Sequence, residues 1–308
     1  MDFSKGKFLD FDVYNEFLEG WDIKFNLLSK NDFSAEINMF MSDSFFFSRE
    51  KLNGKLIQKG VGLKGFRTIV IPVKRELDID YFGKKVSGDQ MLIFPKDNSF
   101  EAISYSNIDI YVLTIREDRL LEIFDNVGYS NCRLIFNGEI KELYISKEFT
   151  NRFHILADIF LKTPISNPLR QESYINKIID FLLKYIEHND HDIKGVQYGK
   201  RDLALKKTVE IINDNTEELF TVRQLCGIVG VSQRTLEYAF KDKYRVSPSE
   251  YIKAIRLNNV KNELYNLRTQ KVNIASVAGK YNFWHMGQFA KDFRKQFGVL
   301  PSEIISKF

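Results

Sequence analysis

The last third of this chain is an imperfect duplication. Residues 240–252 read FKDKYRVSPSEYI and residues 293–305 read FRKQFGVLPSEII, an offset of 53 positions. Upstream the match continues at an offset of 52, where Leu225-Cys226 and Gly230-Val231 fall on Val277-Ala278 and Asn282-Phe283. A chain that repeats a segment this short builds one small supersecondary module twice. The second copy carries one extra residue.

Local grammar identifies the module. Thr221-x-x-Gln224 is a capping box, in which a hydroxyl and an amide three residues apart satisfy orphan backbone donors, and Leu225, Cys226 and Val229 follow at helical spacing. Gly230 supplies a turn residue that takes positive φ at little cost, and Ser232 is an N-cap for a segment with Leu236, Ala239 and Phe240 on one face. This is helix, tight turn, helix. In the second copy Asn282 holds the turn position, and Phe289 and Phe293 form the apolar face of the following helix. Between the copies, Ser247-Pro248-Ser249-Glu250 starts another helix, with N-cap Ser, Pro at the first position and Glu at the third. Ile252, Ile255, Leu257, Val260, Leu264 and Leu267 are its apolar positions. About twenty residues at about 1.5 Å each make a rod of roughly 30 Å. Successive major-groove faces of B-DNA lie about 34 Å apart, so such a rod suits two recognition helices in adjacent groove segments.

Residues 203–308 resemble the AraC/XylS transcriptional regulators. The resemblance is carried by Gly230-Val231-Ser232-x-Arg234-Thr235-Leu236, the two Pro-Ser-Glu sequences, and Phe289-x-x-x-Phe293-Arg294-x-x-Phe297-Gly298. Residues 282–289 are further similar to the branch containing ethanolamine-operon regulators. The chain departs from the family pattern at Asn282, usually Gly, and at Lys291, often Arg. The resemblance implies an all-α C-terminal domain with two helix-turn-helix units joined by a long helix. It also implies an N-terminal cupin-like β-barrel that senses a small molecule, the whole being a two-domain α+β chain.

Charge follows the same division. From Lys200 onward 19 Lys and Arg face 11 Asp and Glu, a net of +8, leaving 26 against 30, a net of −4, for residues 1–199. The basic half is the duplicated half, which fits a polyanionic partner. Cys132 and Cys226 are the only cysteines, so no disulfide framework is expected and a reducing, cytoplasmic location in a bacterium, on DNA, is the reading. No apolar stretch reaches the length of a membrane span, and the first residues lack the apolar core of a signal peptide.

Residues 1–146 carry short β-rich runs at 34–41, 68–73, 91–94 and 108–115, punctuated by Asn53-Gly54, Phe82-Gly83 and Ser87-Gly88-Asp89, as in a sandwich or small barrel. All four histidines, His154, His188, His191 and His285, lie outside this region, so neither a metal nor another cofactor is expected. Phe45-Phe46-Phe47 reads as core, with an apolar ligand pocket as the alternative. Residues 147–188 read as a helical segment: Phe149, Phe153, Leu156 and Phe160 share one face, and Ile175, Ile178, Ile179, Leu182 and Ile186 form a second stripe. Its width exceeds what one small barrel can bury. A homodimer seam through Ile175, Ile178, Leu182 and Ile186 is therefore expected beside packing on the barrel. Residues 189–200 read as a linker to a DNA-binding domain at 201–308.

On the first recognition helix the outward residues are Gln233, Arg234, Glu237, Tyr238 and Lys241. The first four are candidate base readers and Lys241 a phosphate contact. Glu237 has a second reading as the internal partner that orients Arg234. On the second helix Gln288 and Lys291 are base-reader candidates and Arg294 a phosphate contact. Gly287 offers close backbone approach or no readout, and Trp284 reads as core or staple. The expected function is a sequence-specific transcriptional activator whose partners are promoter DNA, a second copy, RNA polymerase and a small-molecule effector. The alternatives are a regulator governed by protein contacts alone and an enzyme fused to a DNA-targeting domain. The second alternative lacks the Cys-rich chemistry that alkyl transfer needs, so no enzymatic activity is expected.

Overall fold

The computed structural model describes residues 2–18, 23–28, 33–74, 77, 79–81, 84–94, 99–105, 108–136, 141–162, 167–189, 193–195, 199–269 and 272–305. From the N-terminus the order is β1 (Asp2–Phe8), α1 (Phe11–Phe17), β2 (Ile23–Leu27), β3 (Ser34–Met41), β4 (Phe45–Asn53), β5 (Leu56–Val61), β6 (Phe66–Pro72), β7 (Ile79–Tyr81), β8 (Lys84–Val86), β9 (Gln90–Ile93), β10 (Ser99–Ser104) and β11 (Ile108–Arg116). There follow α2 (Glu117–Val127), α3 (Ser130–Phe136), β12 (Lys141–Tyr144), α4 (Lys147–Lys162), α5 (Pro168–His188) and β13 (Ile193–Gly195). The remainder is helical: α6 (Lys200–Asp214), α7 (Val222–Val229), α8 (Gln233–Tyr244), α9 (Pro248–Asn266), α10 (Ile274–Lys280), α11 (Met286–Phe297) and α12 (Pro301–Ile305).

The strands form two sheets, one of eight in the order β1-β3-β4-β11-β6-β9-β12-β13 and one of five in the order β2-β5-β10-β7-β8. Among the described residues each ends in edge strands, so in place of the expected cupin-like barrel there is a pair of sheets that do not close. Closure would need β1 to pair with β13. The β1 edge carries Lys5 and Lys7, a composition that discourages edge pairing. In the larger sheet, Phe47 stands opposite Leu113 and Leu113 opposite Ile69. Alternation then places Phe45, Phe47, Ile69, Ile71, Tyr111, Leu113 and Ile115 on one face, in a single core with buried residues of α2, α3, α4 and α5. Phe45 and Phe47 are fully buried there, the core role expected for them. Phe46 lies partly buried with its ring 5.4 Å from that of Phe66. The turn at Phe82-Gly83 lies outside the described residues.

The same core corrects the expected dimer seam. Ile175, Ile178, Leu182 and Ile186 each have 0% exposure and belong to the core that the sheet and the other helices build. An eight-stranded sheet flanked by four helices offers more cover than a small barrel, so the wide stripe is used up inside the chain. What α4 leaves outward is a different pair, Ile155 at 62% and Ile159 at 46% exposure. Within the stretch read as a linker, Ile193–Gly195 pairs with β12, Lys141 opposite Gly195.

Contacts divide the chain into two units: Met1–Lys24, Phe33–Asn53 and Lys59–Val196 in one, and Phe25–Asp32, Gly54–Gln58 and Gln197–Phe308 in the other. The second therefore draws two short segments from the strand-rich part of the sequence. Asn258, on α9 and 1% exposed, accepts from the Leu27 amide at 3.0 Å and donates to the Leu27 carbonyl at 2.9 Å. Gln296, on α11, donates to that carbonyl at 2.9 Å and to the Ala254 carbonyl at 3.1 Å.

Candidate nucleic-acid interface

The caps and turn residues read from the duplicated region have their physical counterparts. The Thr221 hydroxyl accepts from the Gln224 amide at 3.2 Å, and the Gln224 side chain accepts from the Thr221 amide at 2.9 Å. This closes the capping box that starts α7. Gly230 follows in the left-handed region at φ 71°, where a side chain would cost roughly 1–2 kcal/mol. Ser232 then accepts from the Thr235 amide at 3.1 Å and starts α8. Ser247 and Glu250 close the second capping box at 2.7 and 3.3 Å ahead of Pro248. The helix they start, α9, spans 19 residues, about 28 Å at the standard rise. In the second copy Asn282 takes φ 66°, and its side-chain amide donates to the Glu217 carbonyl at 2.7 Å. A non-glycine residue is thereby held in the turn conformation.

The long helix is the shared wall of both units. At one end Tyr251 packs edge-to-face on Phe240 and tilted against Tyr244, with ring centroids 5.2 and 4.5 Å apart. Towards the other, Leu257, Val260 and Leu264 form a core with Val277, Ala278, Phe289, Phe293 and Ile304. Lys253 on α9 pairs with Asp292 on α11 at 3.2 Å. Glu263 ties α9 to α10, accepting from the Tyr281 hydroxyl at 2.7 Å and from Lys280 at 3.0 Å. Burial pushes its carboxyl up, but these hydrogen bonds outweigh burial and hold it below the usual range. Burial and the same carboxylate push the Tyr281 phenol up to about 12.

On α8, Leu236, Ala239 and Phe240 are buried and Gln233, Arg234, Tyr238 and Lys241 are exposed, with Glu237 half-buried. Two pairs one turn apart order this face. The Gln233 amide donates to Glu237 at 2.9 Å, and Arg234 lies over the Tyr238 ring at 5.5 Å with a long contact to its hydroxyl at 3.4 Å. Glu237 thus partners Gln233, while Tyr238 positions Arg234, the part that one reading had assigned to Glu237. On α11, Phe289 and Phe293 are buried, and Gly287, Gln288, Lys291 and Arg294 are exposed. A Cβ added at Gly287 would meet nothing within 4 Å. His285 is the N-cap of α11 and makes no side-chain cap, unlike Ser232 in the first copy. Sequence reasoning did not find the exposure of Trp284, 71%, because an aromatic beside a helix start most often folds inward.

Outside this region, a cleft of about 600 Å³ in the strand-rich unit is lined by residues including Lys7, Phe8, Glu36, Arg49, Lys51 and Asp109. Arg49 holds Asp109 through two hydrogen bonds of 2.9 Å and Asp158 at 3.0 Å. Burial and Glu187 push the Cys132 thiol well above its ordinary value, and burial with Glu237 raises that of Cys226. No group of three or more His, Cys, Asp or Glu among the described residues is arranged to hold a metal. No helix among them is long and apolar enough to cross a membrane. His191 lies outside the described residues.

Comparison with known proteins places these observations. Residues 225–307 match the family described as a helix-turn-helix domain. The chain is 26% identical over 117 residues to a probable thc operon regulatory protein of Rhodococcus erythropolis, a match covering 37% of this chain and 35% of that protein. It is 29% identical over 142 residues to a XylDLEGF operon transcriptional activator of Pseudomonas putida, covering 46% of this chain and 88% of that one. The chain thus spans only about a third of the length of the first relative. Among solved structures, a regulator with an AraC-type DNA-binding domain from Chromobacterium violaceum shares 27% identity over 34% of this chain and 91% of that chain, at a TM-score of 0.32.

Proposed function

We propose that this chain, an AraC/XylS-type regulator in its DNA-binding domain, is a transcriptional activator that reads two adjacent major-groove segments of promoter DNA. The observation that carries the reading is the duplication itself. Two capped helix-turn-helix units share one 19-residue helix, each keeps an apolar face inward, and each presents polar side chains on an exposed face. On α8, Arg234 and Gln233 supply donors for guanine and adenine edges, Glu237 accepts from cytosine, and Tyr238 steadies Arg234 while joining the contact. Lys241 follows one turn later on phosphate. On α11, Gln288 and Lys291 are the readers and Arg294 a phosphate contact. The net of +8 after residue 199 supplies the sequence-independent part of the affinity.

Regulation is proposed to lie in the strand-rich unit. Its 600 Å³ cleft is of a size that takes a small effector, and no resident cofactor is invoked. A second copy of the chain is proposed to pair through the outward stripe Ile155 and Ile159 of α4, a two-fold contact in which the same patch serves both partners. Activation implies RNA polymerase as a further partner. A cytoplasmic location is part of the proposal, supported by the DNA partner and by the two free, buried cysteines. The high-lying Cys132 and Cys226 thiols speak against a fused alkyl-transfer enzyme, which needs a reactive thiolate.

Selection of bound duplexes from a random pool by the full chain tests the reading. Enrichment of a bipartite site with halves about one helical turn apart is expected, with affinity falling steeply as salt rises. Binding that ignores salt, or no enrichment, refutes it.

A further inference from the structure

Trp284 is one of two tryptophans in the chain and is 71% exposed, although tryptophan is highly buried on average. The two structural tasks open to it are performed by other residues. As a core residue it would be covered, yet the second helix-turn-helix core closes around Phe289 and Phe293 without it. As a hydrophobic staple, the residue before the N-cap would pack on the fourth residue of α11. That residue is Phe289, and its ring packs on Phe283 at 5.2 Å. Nor is Trp284 a cap, since the N-cap of α11 is His285.

The ring is nonetheless held. Its six-membered edge sits over Gly279 of α10, where an added Cβ would come within 3.3 Å of Cζ3 and 3.8 Å of Cε3 and Cη2. Glycine there makes room for the ring, and the rest of the ring faces solvent. It stands directly ahead of α11, whose first turn carries the open Gly287 and the exposed Gln288. The first copy has no counterpart: there Val231 runs directly into the N-cap Ser232, which falls on His285, so Trp284 is the extra residue of the second copy. The two units therefore differ in kind at the same place. One offers Gln, Arg, Glu and Tyr in its first two turns, while the other offers fewer polar readers beside a large, fixed apolar plate.

We propose that Trp284 is an apolar contact to duplex DNA, pressed on the wall of the groove that α11 enters. This rests on the DNA-binding reading above and adds the chemistry by which the second unit is held. The surface that matches a fixed indole is either the thymine methyl in the groove or the deoxyribose along its edge. Large aromatics at interface centres carry a disproportionate share of binding.

The test uses the full chain carrying Trp21→Phe, which leaves Trp284 as its only tryptophan, and a duplex of about 20 base pairs recovered from the random pool. Titration with this duplex is expected to change Trp284 emission and saturate at stoichiometric DNA. Trp284→Ala is expected to weaken binding about tenfold while Trp284→Phe keeps most of it. Gly279→Ala, which displaces the ring without removing it, is expected to fall between; far-UV circular dichroism checks that each variant folds. Replacing thymine by uracil separates the two surfaces. A loss that Trp284→Ala does not add to assigns the methyl, and an unchanged Trp284→Ala effect assigns the sugar. The inference is overturned if Trp284→Ala and the emission stay unchanged while Gln288→Ala or Arg294→Ala weakens binding. If no duplex is enriched, or none of these variants matters, the DNA reading of the second unit fails and takes the inference with it.

Discussion

Asn258 offers the sharpest energetic test of how the helical unit is completed. Its amide makes three buried hydrogen bonds: from the Leu27 amide at 3.0 Å, to the Leu27 carbonyl at 2.9 Å and to the Ala254 carbonyl at 2.8 Å. In Asn258→Ala both carbonyls keep a donor in Gln296. The Leu27 amide keeps none of these side-chain partners. A buried donor left alone costs about 1–3 kcal/mol, and the lost Leu27 carbonyl bond adds about 1 kcal/mol or less. The expected destabilisation is therefore about 1–4 kcal/mol, a sizeable share of the roughly 5–15 kcal/mol that holds a domain together. Asn258→Asp is expected to be worse at neutral pH. It keeps the acceptor for the Leu27 amide but turns a second acceptor toward two carbonyls, which raises the folded-state pKa of the new carboxyl. A raised acid binds its proton more tightly when folded, so stability falls as pH rises through that value and recovers on acidification. Urea unfolding of the full chain followed by far-UV circular dichroism measures both. A cost below about 0.5 kcal/mol for Asn258→Ala, or an Asn258→Asp variant that does not regain stability in acid, refutes the reasoning. The same geometry bears on the isolated fragment from residue 200 onward. It contains the whole duplication but lacks Leu27, so it is expected to fold with lower stability than the same helices have in the full chain.

Three further outcomes follow from the geometry. Arg234→Ala is expected to relax specificity at one base position at a cost of about 1–3 kcal/mol, whereas Lys241→Ala weakens all sequences alike; equal, uniform losses in a binding-site selection would remove the distinction. Ile178→Glu places a charge where exposure is 0% and is expected to cost more than about 4 kcal/mol and unfold the strand-rich unit, so a folded, merely monomeric variant in sedimentation would contradict the corrected core. Glu263→Gln is expected to lower stability by about 1 kcal/mol at neutral pH. Because the folded-state pKa of Glu263 is depressed, its contribution is present above the ordinary carboxylate value and lost as pH falls through the lower folded one, and a difference independent of pH would show that Glu263 is not the charged partner of Tyr281 and Lys280.

The starts of α7, α8 and α9 were legible because each is settled within one turn of chain. Thr221 with Gln224, Ser232 with Thr235, and Ser247 with Glu250 are bonds between residues three apart, and positive φ comes at little cost to Gly230 and is tolerated by Asn282, which the distant Glu217 carbonyl then holds. Strand β3 and the central runs of β6, β9 and β11 were legible from alternation and side-chain type. Other features depended on partners distant in sequence. β1 is a polar, lysine-bearing segment that becomes a strand by pairing with β3, and Ile193–Gly195 does so by pairing with β12. The stripe at Ile175, Ile178, Leu182 and Ile186 announced burial but not by what, since the same pattern serves a dimer or a core. Tertiary structure gave it to the core because the sheet supplied enough cover. Trp284 shows the reverse, an apolar side chain left outside because Phe283 had already taken the contact with Phe289. Local chemistry determined the duplicated helix-turn-helix units. Which surfaces remained to meet another molecule was decided by what the rest of the chain could cover.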